Sequence, residues 1–541
     1  MDRFKGFLWL FLFGLIWIFT SCIRDVYDLD KRTDSFWDPK WCAHVVHSEM
    51  SIKDIIEQDS FAFIKEDNKN FLTVLYRSTV FSKTAAEVIN VPNQALSKHY
   101  TFNVPSIFLT GDTTFSSYVT DYIFNMSNNE ELDSILIDTL KIRLQVSTNL
   151  NHSCRLKIRT ANITKDDSIF QFSIAHIYTG SIPVNFDTTF ELTGCKIFLD
   201  NSGVIKNKFP FNLDVIAYSN GLPVNNPYDV NINFYFENIK FQSVYGYLGQ
   251  KLFPVKEDTV DINMFENNVI GSFKFYEPKF NFYISNSFGI PISLHFNKLV
   301  AHSDKNPPFN VTLSGSGIPN PWYINTPIKA GNTDSTKMHL DNTNCNMIAA
   351  FDISPISFIY QLDANTNPNG HLYQNFVLSK SRFKVEAEAE IPLHASASDF
   401  VLEDTLDIDI MEAFKQADKM KFVNFLLKIQ NDFPLEAKVQ VYLVDSNATW
   451  PPIDSLLDFS VNTIEAAAPG PPPDLKTVQA VTSFKKLSFP AVRVKNWKDV
   501  SRLIIKASLS TYSNGTVPVK IYSDYKVKVD IGIQTQLNIG L

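Results

Sequence analysis

Apolar and polar residues alternate along most of the chain from about residue 70 onward. In the clearest run, Tyr525, Val527, Val529, Ile531, Ile533, Leu537 and Ile539 alternate with Lys526, Lys528, Asp530, Gly532, Gln534, Gln536 and Asn538. Successive side chains of a strand point to opposite faces, so this spacing predicts antiparallel strands with one buried and one wet face. The run is long for one strand, and Gly532 is the expected place for a bend or bulge.

A repeat organises these strands. Glu257-Asp-Thr-Val-Asp-Ile-Asn-Met-Phe-Glu266 aligns with Glu403-Asp-Thr-Leu-Asp-Ile-Asp-Ile-Met-Glu412. After the first copy Phe280, Phe282 and Ile284 lead to Asn286, and Ile292, Leu294 and Phe296 follow Pro291; after the second, Phe425, Leu427 and Ile429 lead to Asn431, and Val439, Val441 and Leu443 follow Pro434. Asn tolerates left-handed backbone and Pro presets a turn, so each copy predicts a hairpin. A weaker third copy opens at Asp112, with Ile142, Leu144, Val146, Asn149, Leu156 and Ile158 as its hairpin. Asp112, Asp258 and Asp404 are spaced by 146 residues each, as duplication of a sandwich-sized unit would leave them, although Asp187-Thr-Thr-Phe190 stands off that register. The Asp-Thr pairs read as strand-opening turns whose side chains bond nearby backbone NH groups.

Helical signals are few: Ser51 with Asp54 ahead of Ile52 to Gln58, the segment Met411 to Lys421, and Asn496 with Asp499 around Trp497 to Arg502. The fold class is therefore mainly β, tandem antiparallel β-sandwich domains with a few short helices. The expected divisions are a signal peptide at 1–21, an N-terminal tether with a short helix at 22–60, a β-sandwich region at 61–250, a β-sandwich domain at 251–395, and a β-sandwich domain at 396–541. The last carries the Pro-rich stretch 466–474 (AAAPGPPPD), which reads as a stiff exposed loop.

The N-terminus supplies an address. Arg3 and Lys5 precede the apolar run Phe7 to Phe19, and Thr20-Ser21-Cys22 follows it. This is the layout of a lipoprotein signal, after whose removal Cys22 is acylated. The run is shorter than the roughly 20 residues that span a bilayer, and several acyl chains hold a protein firmly where one does not. The expected location is the cell envelope, as an outer-membrane lipoprotein on either the periplasmic or the exposed side.

Composition narrows the function classes. Hydrophobic residues make up 45% of the chain and aromatic residues 13%, enough for large cores and against disorder. The net charge is −8, and loss of Asp2, Arg3 and Lys5 with the signal leaves −9, which argues against nucleic acid as a partner. Cys42, Cys154, Cys195 and Cys345 form no C-x-x-C pair; two disulfides and free buried thiols both fit.

No G-x-S-x-G, H-E-x-x-H, G-x-x-x-x-G-K or G-x-G-x-x-G motif occurs, and no cofactor or metal site is expected. Cys42, His44 and His47 cluster without a second ligand pair, and Asp407 with Asp409 share one strand face. Two candidate binding features stand out. Lys141, Arg143, Arg155, Lys157 and Arg159 would line the polar face of the third hairpin, balanced by Glu130, Glu131, Asp133 and Asp138 or offered to an anionic ligand. Trp322 and Trp450, both next to Pro, are candidate aromatic platforms for sugars.

The Thr20-Ser21-Cys22 lipobox, Trp37-x-Pro39, the Asp-Thr elements, Asn431-Asp-Phe-Pro434 and Asn514-Gly-Thr-Val-Pro-Val-Lys-Ile-Tyr522 together resemble uncharacterised envelope lipoproteins of Bacteroidota. The hairpins around Asn286 and Asn431 resemble the β-sandwich of late-embryogenesis-abundant type water-stress domains, without that domain's Asn-Pro. Neither resemblance brings catalytic residues. The expectation is a non-enzymatic envelope lipoprotein with a structural, adhesive or ligand-binding role, its partners the membrane, envelope glycans or other envelope proteins. The alternative is a glycan-binding or glycan-degrading surface lipoprotein.

Overall fold

The computed structural model describes residues 36–37, 40–51, 62–103, 108–109, 111–199, 206–262, 272–304, 307–372, 374–407, 420–447, 450–457, 460–461, 463–537 and 539–540. Strands dominate. The first four are β1 (Phe36–Trp37), β2 (Lys40–Ser51), β3 (Ala62–Glu66) and β4 (Leu72–Thr84), closed by the short helix α1 (Ala85–Val88). Next come β5 (Gln94–Phe102), β6 (Thr113–Ile123), β7 (Glu131–Thr148), β8 (Cys154–Lys165), β9 (Ser168–His176), β10 (Val184–Thr193), β11 (Lys196–Phe198), β12 (Lys208–Ala217) and β13 (Tyr228–Tyr247). Then follow β14 (Leu252–Asp261), β15 (Ser272–Phe275), β16 (Lys279–Asn286), β17 (Ile292–His302), β18 (Asn310–Thr312), β19 (Trp322–Ile324), β20 (Asp334–Leu340), α2 (Met347–Asp352), β21 (Ser357–Thr366), β22 (Asn375–Leu378), β23 (Arg382–Pro392) and β24 (His394–Ser398). The last group is β25 (Phe400–Asp407), β26 (Met420–Asn431), β27 (Leu435–Val444), β28 (Asp454–Ser455), β29 (Val481–Pro490), α3 (Ala491–Val494) with a 3-10 turn at Lys495–Asp499, β30 (Arg502–Thr511), β31 (Val519–Lys520), β32 (Lys526–Leu537) and β33 (Ile539–Gly540).

The antiparallel, mainly β architecture is the one the alternation predicts. Strands β5 to β13, with β22, form a ten-stranded sheet that doubles back on itself, because β11 pairs with both β7 and β8. One half runs β5-β13-β7-β10 and the other β9-β8-β12-β6. Aromatic rings close the space between the halves: Tyr122 of β6 meets Phe236 of β13 at 4.8 Å, and Phe211 of β12 stacks on Phe234 of β13 at 6.3 Å. At Gly246 the register of β13 against β7 shifts; with φ near +140° a Cβ there would stand 2.2 Å from the Glu131 carbonyl, so this bulge requires glycine.

A second sandwich sets β14-β21-β17-β18 against β20-β16-β23-β4-β3, with Phe280 and Phe358 packed at 4.5 Å across its core. The remaining sheets are β2-β32-β26-β29, β25-β30-β27-β28, the three-stranded β15-β24-β31 and the pair β1-β33.

Strand pairing crosses the expected sequence ranges. Lys40–Ser51, expected in a tether, pairs along β32; Leu72–Thr84 pairs along β23; and Asn375–Leu378 returns to β13. The reason is burial of one face: Phe383, Val385, Ala387, Ala389 and Ile391 of β23 are all fully buried, and β4 brings Leu72, Val74 and Tyr76 beside them. The result is nested, with strands from early in the chain completing sheets built late.

The two better repeats correct the hairpin expectation. β16 and β17 lie in opposite sheets of the second sandwich, and β26 and β27 also lie in different sheets, so Asn286 and Asn431 mark crossings between layers. In each, the Asn Oδ1 accepts the NH two residues on, from Phe288 and Phe433, both at 2.9 Å. Each Asn side chain is buried, and Asn431 Nδ2 also donates toward the carbonyls of Phe433, Leu435 and Glu465. In the third copy β7 and β8 likewise belong to opposite halves, but Asn149 Oδ1 accepts from the more distant Asp229 NH at 2.6 Å.

Other local expectations shift in register. Asp258-Thr259 sits inside β14 beside a bulge, where Asp258 Oδ1 accepts the Thr259 NH at 2.8 Å. The bulge near Gly532 falls on the partner strand, between His44 and Val46. The expected helix at 497–502 begins earlier: Pro490 precedes α3, Trp497 packs on Phe489 at 5.3 Å, and Arg502 already opens β30. The expected helix at 52–58 lies outside the described residues, as does that at 411–421 apart from Met420 and Lys421, which open β26. The Pro-rich loop exposes Pro471 to Pro473, while buried Ala467 donates to Phe433 O at 3.0 Å and Asp474 pairs with Lys69 at 2.9 Å.

Asn431 is the sharpest local test. Asn431→Ala strands buried backbone carbonyls and one NH, and a loss of about 2–4 kcal/mol is expected in urea unfolding. A loss below about 0.5 kcal/mol would contradict the layer-crossing role.

Candidate functional site

The half-sheet β5-β13-β7-β10 turns its apolar residues inward. Ile142, Leu144 and Val146 of β7 and Val230, Ile232, Phe234 and Phe236 of β13 are all buried. The intervening residues therefore share one wet face, and register sets them in rows. Asn185, Ser147, Asn231 and His99 form one row; Asp187, Gln145, Asn233 and Ser97 the next; Thr189, Arg143, Tyr235 and Ala95 a third. A shallow hollow of about 360 Å³ lies over the β10, β7 and β13 members of the first two rows, with Val146 and Phe186 also in its lining.

Charges on this face are held within it. Arg143 donates to both oxygens of Asp187, Nε at 3.0 Å and Nη2 at 2.5 Å, and Gln145 Nε2 donates to the same carboxylate at 2.9 Å. These bonds, Arg143 first, hold the Asp187 carboxyl down to about 2. Tyr235 donates its hydroxyl to Gln145 Oε1 at 3.3 Å, and His99 Nδ1 meets Asn231 Oδ1 at 2.7 Å. Lys141 lies 3.7 Å from Glu237, with Glu191 opposite it on β10. The side chains of Asn185, Asn233 and Ser147 make no hydrogen bond to another described residue. They remain as uncharged donors and acceptors facing the hollow.

The five cations singled out in the sequence are divided by this arrangement. Lys141 and Arg143 belong to the face just described, whereas Arg155, Lys157 and Arg159 lie on β8, on the outer side of the opposite half-sheet. Arg159 donates to Asp214 of β12 at 2.6 Å, and Arg155 sits 5.9 Å from the ring of Tyr218, just past the end of β12. The acids expected beside them are engaged elsewhere, Glu130 with Lys251 at 2.8 Å and Asp133 with Lys206. Trp322 is a core residue, 7% exposed and packed on Phe282 and Phe296, so it offers no platform. Trp450 is 63% exposed, its ring edge-on to Tyr442 at 5.1 Å. Cys22 lies outside the described residues.

Cys42 is an exposed free thiol and Cys154, Cys195 and Cys345 are buried free thiols; burial pushes Cys154 up to about 11, away from reactivity. His47 Nδ1 pairs with Asp530 at 2.6 Å. Among the described residues no cluster of three metal-ligating side chains occurs, and no helix is long and apolar enough to cross a membrane.

Two other polar sites stand apart. A hollow of about 300 Å³ is lined by Glu131, Asp133, Lys206, Tyr247, His371 and Gln374, with His371 stacked on Tyr247 at 4.2 Å. On β23 the carboxylate of Glu388, 3% exposed, is surrounded by Arg77, Tyr283 Oη at 2.9 Å and Asn281 Nδ2 at 3.3 Å. All of its partners are supplied by the sheet itself, as a structural network requires.

Sequence reading missed Asn185, Asn231, Asn233, Gln145, Ser147 and His99. Nothing local announced that four strands would bring them together.

No protein-family model matches the chain, and no curated protein matches it. Among solved structures, a protein of Parabacteroides distasonis ATCC 8503 inferred to be secreted is 10% identical, with 52% of this chain and 82% of that one covered and a TM-score of 0.26. The Gx strain of infectious bursal disease virus is 8% identical, with 83% and 80% covered and a TM-score of 0.14. Likeness at these scores assigns neither fold nor function.

The ion pair on the face has a measurable signature. Asp187 is depressed below its ordinary 3.8, so its pairing with Arg143 contributes above 3.8 and is lost as pH falls through about 2. A carboxyl-carbon NMR titration should give a midpoint near 2, moving up toward 3.8 in Arg143→Ala. A midpoint already near 3.8 in the unsubstituted protein would contradict the geometry.

Proposed function

We propose that this chain is a non-enzymatic cell-envelope lipoprotein, tethered through an acylated Cys22, whose stacked sandwiches present a binding or adhesive face. The observation that carries the reading is the wet face of β5-β13-β7-β10, where an ordered array of polar side chains borders a hollow yet leaves Asn185, Asn233 and Ser147 unengaged. Groups held in place by a rigid sheet and not used by the fold are what recognition needs. Its partners are envelope glycans or other envelope proteins, and its net charge of −8 disfavours nucleic acid.

Two measurements test it. Cys22→Ala should move the protein from the membrane fraction to the soluble fraction; continued membrane association would refute the lipid tether. The same soluble variant should bind isolated envelope material, and adding Asn185→Lys with Asn233→Lys should reduce that binding by about tenfold or more without altering the melting temperature. Undiminished binding would remove this face from the function.

A further inference from the structure

The chemistry of the face narrows what it can hold. Arg143 is committed to Asp187, and Lys141 lies between Glu237 and Glu191, so neither cation is available to an incoming anion. With Asp229 also on this side of β13, carboxylates outnumber lysine and arginine across these strands. An anionic polymer would meet net repulsion and would have to break a bidentate pair.

A protein partner fits poorly for another reason. Stable protein interfaces centre on buried apolar and aromatic anchors, and the first two rows present amides, hydroxyls, one imidazole and one carboxylate. What remains unsatisfied is uncharged: the amides of Asn185 and Asn233 and the hydroxyl of Ser147. An amide side chain offers two donors and a two-lone-pair acceptor, which pairs naturally with groups that both donate and accept. Hydroxyls do both.

The spacing supports a chain of such groups. Neighbouring strands lie about 4.8 Å apart, and every second residue along a strand is about 6.7 Å further on. The rows therefore form a grid on which successive hydroxyl-bearing rings can each meet an amide, with Asp187 Oδ1 and Oδ2, His99 and Tyr235 at its margin.

Building on the binding role proposed for this face, we infer that its ligand is a neutral, hydroxyl-rich glycan, held across β10, β7 and β13 by Asn185, Ser147 and Asn233. Recognition is by hydrogen bonds from a rigid sheet with no large exposed aromatic residue in the first two rows, so affinity is modest, about 10 μM to 1 mM per site.

The test is a glycan array probed with the full-length Cys22→Ala protein, carrying neutral glucans, mannans and galactans beside sulfated and uronate oligosaccharides. Binding to at least one neutral class is expected, confirmed by titration calorimetry. Asn185→Ala and Asn233→Ala should each weaken it by about five- to tenfold, and Trp450→Ala should leave it unchanged. Neither amide has a partner within the described fold, so unaltered melting temperatures should accompany the loss. Binding confined to the acidic oligosaccharides, or neutral binding indifferent to both asparagines, would overturn the neutral-glycan inference. If the protein also binds isolated envelopes in an Asn185- and Asn233-dependent manner, the face keeps its binding role and only the ligand class fails. If envelope binding is insensitive as well, the binding face itself fails.

Discussion

The early strands hold the molecule together. β23 is buried along its apolar side and needs a neighbour on each edge; β16 supplies one and β4, some 300 residues earlier in the chain, supplies the other. β32 is in the same position between β26 and β2. Without these returns, backbone donors and acceptors of central strands would face no partner, a cost no surrounding contact offsets. Closure of such long loops also places this fold among those dominated by distant contacts, which assemble slowly.

Polar groups inside the fold follow the same necessity. Asn286 and Asn431 sit where the chain leaves one layer for another, and a backbone turning there would otherwise bury unsatisfied NH and carbonyl groups. Their amides substitute for the missing ladder. Glu388 is tolerated at 3% exposure because Arg77, Tyr283 and Asn281 surround it. Burial of the Tyr283 hydroxyl, with Glu388 beside it, pushes that group up to about 12, so it stays a donor throughout the physiological range.

The wet face of β5-β13-β7-β10 differs from these networks in what it leaves undone. Around Glu388 the carboxylate meets Arg77, Tyr283 and Asn281, all from the same sheet. On the face, the charges are matched and several amides are not. A rigid sheet with neutralised charge and unspent uncharged groups discriminates by hydrogen-bond geometry, and it does so without the steering that a charged surface provides.

The sequence by itself determined the class of fold and the sidedness of its strands. Alternation at Lys141 to Val146 and at Phe280 to Ile284 named the buried residues correctly, because a period of two leaves a strand only two faces. It also located the polar corners at Asn286 and Asn431. Tertiary structure alone decided partners. A turn followed by an alternating segment is equally compatible with a hairpin and with a step to the facing sheet, so local pattern alone does not separate the two at these corners. The basic residues of β7 and β8 were joined for the same reason, and Trp322, flanked by proline like Trp450, could be told from it only by the rings of Phe282 and Phe296 that cover it. The candidate face lay beyond local reading altogether: Asn185, Gln145, Asn233 and His99 come from four strands, and pairing register, which depends on the whole core closing, is what sets them side by side.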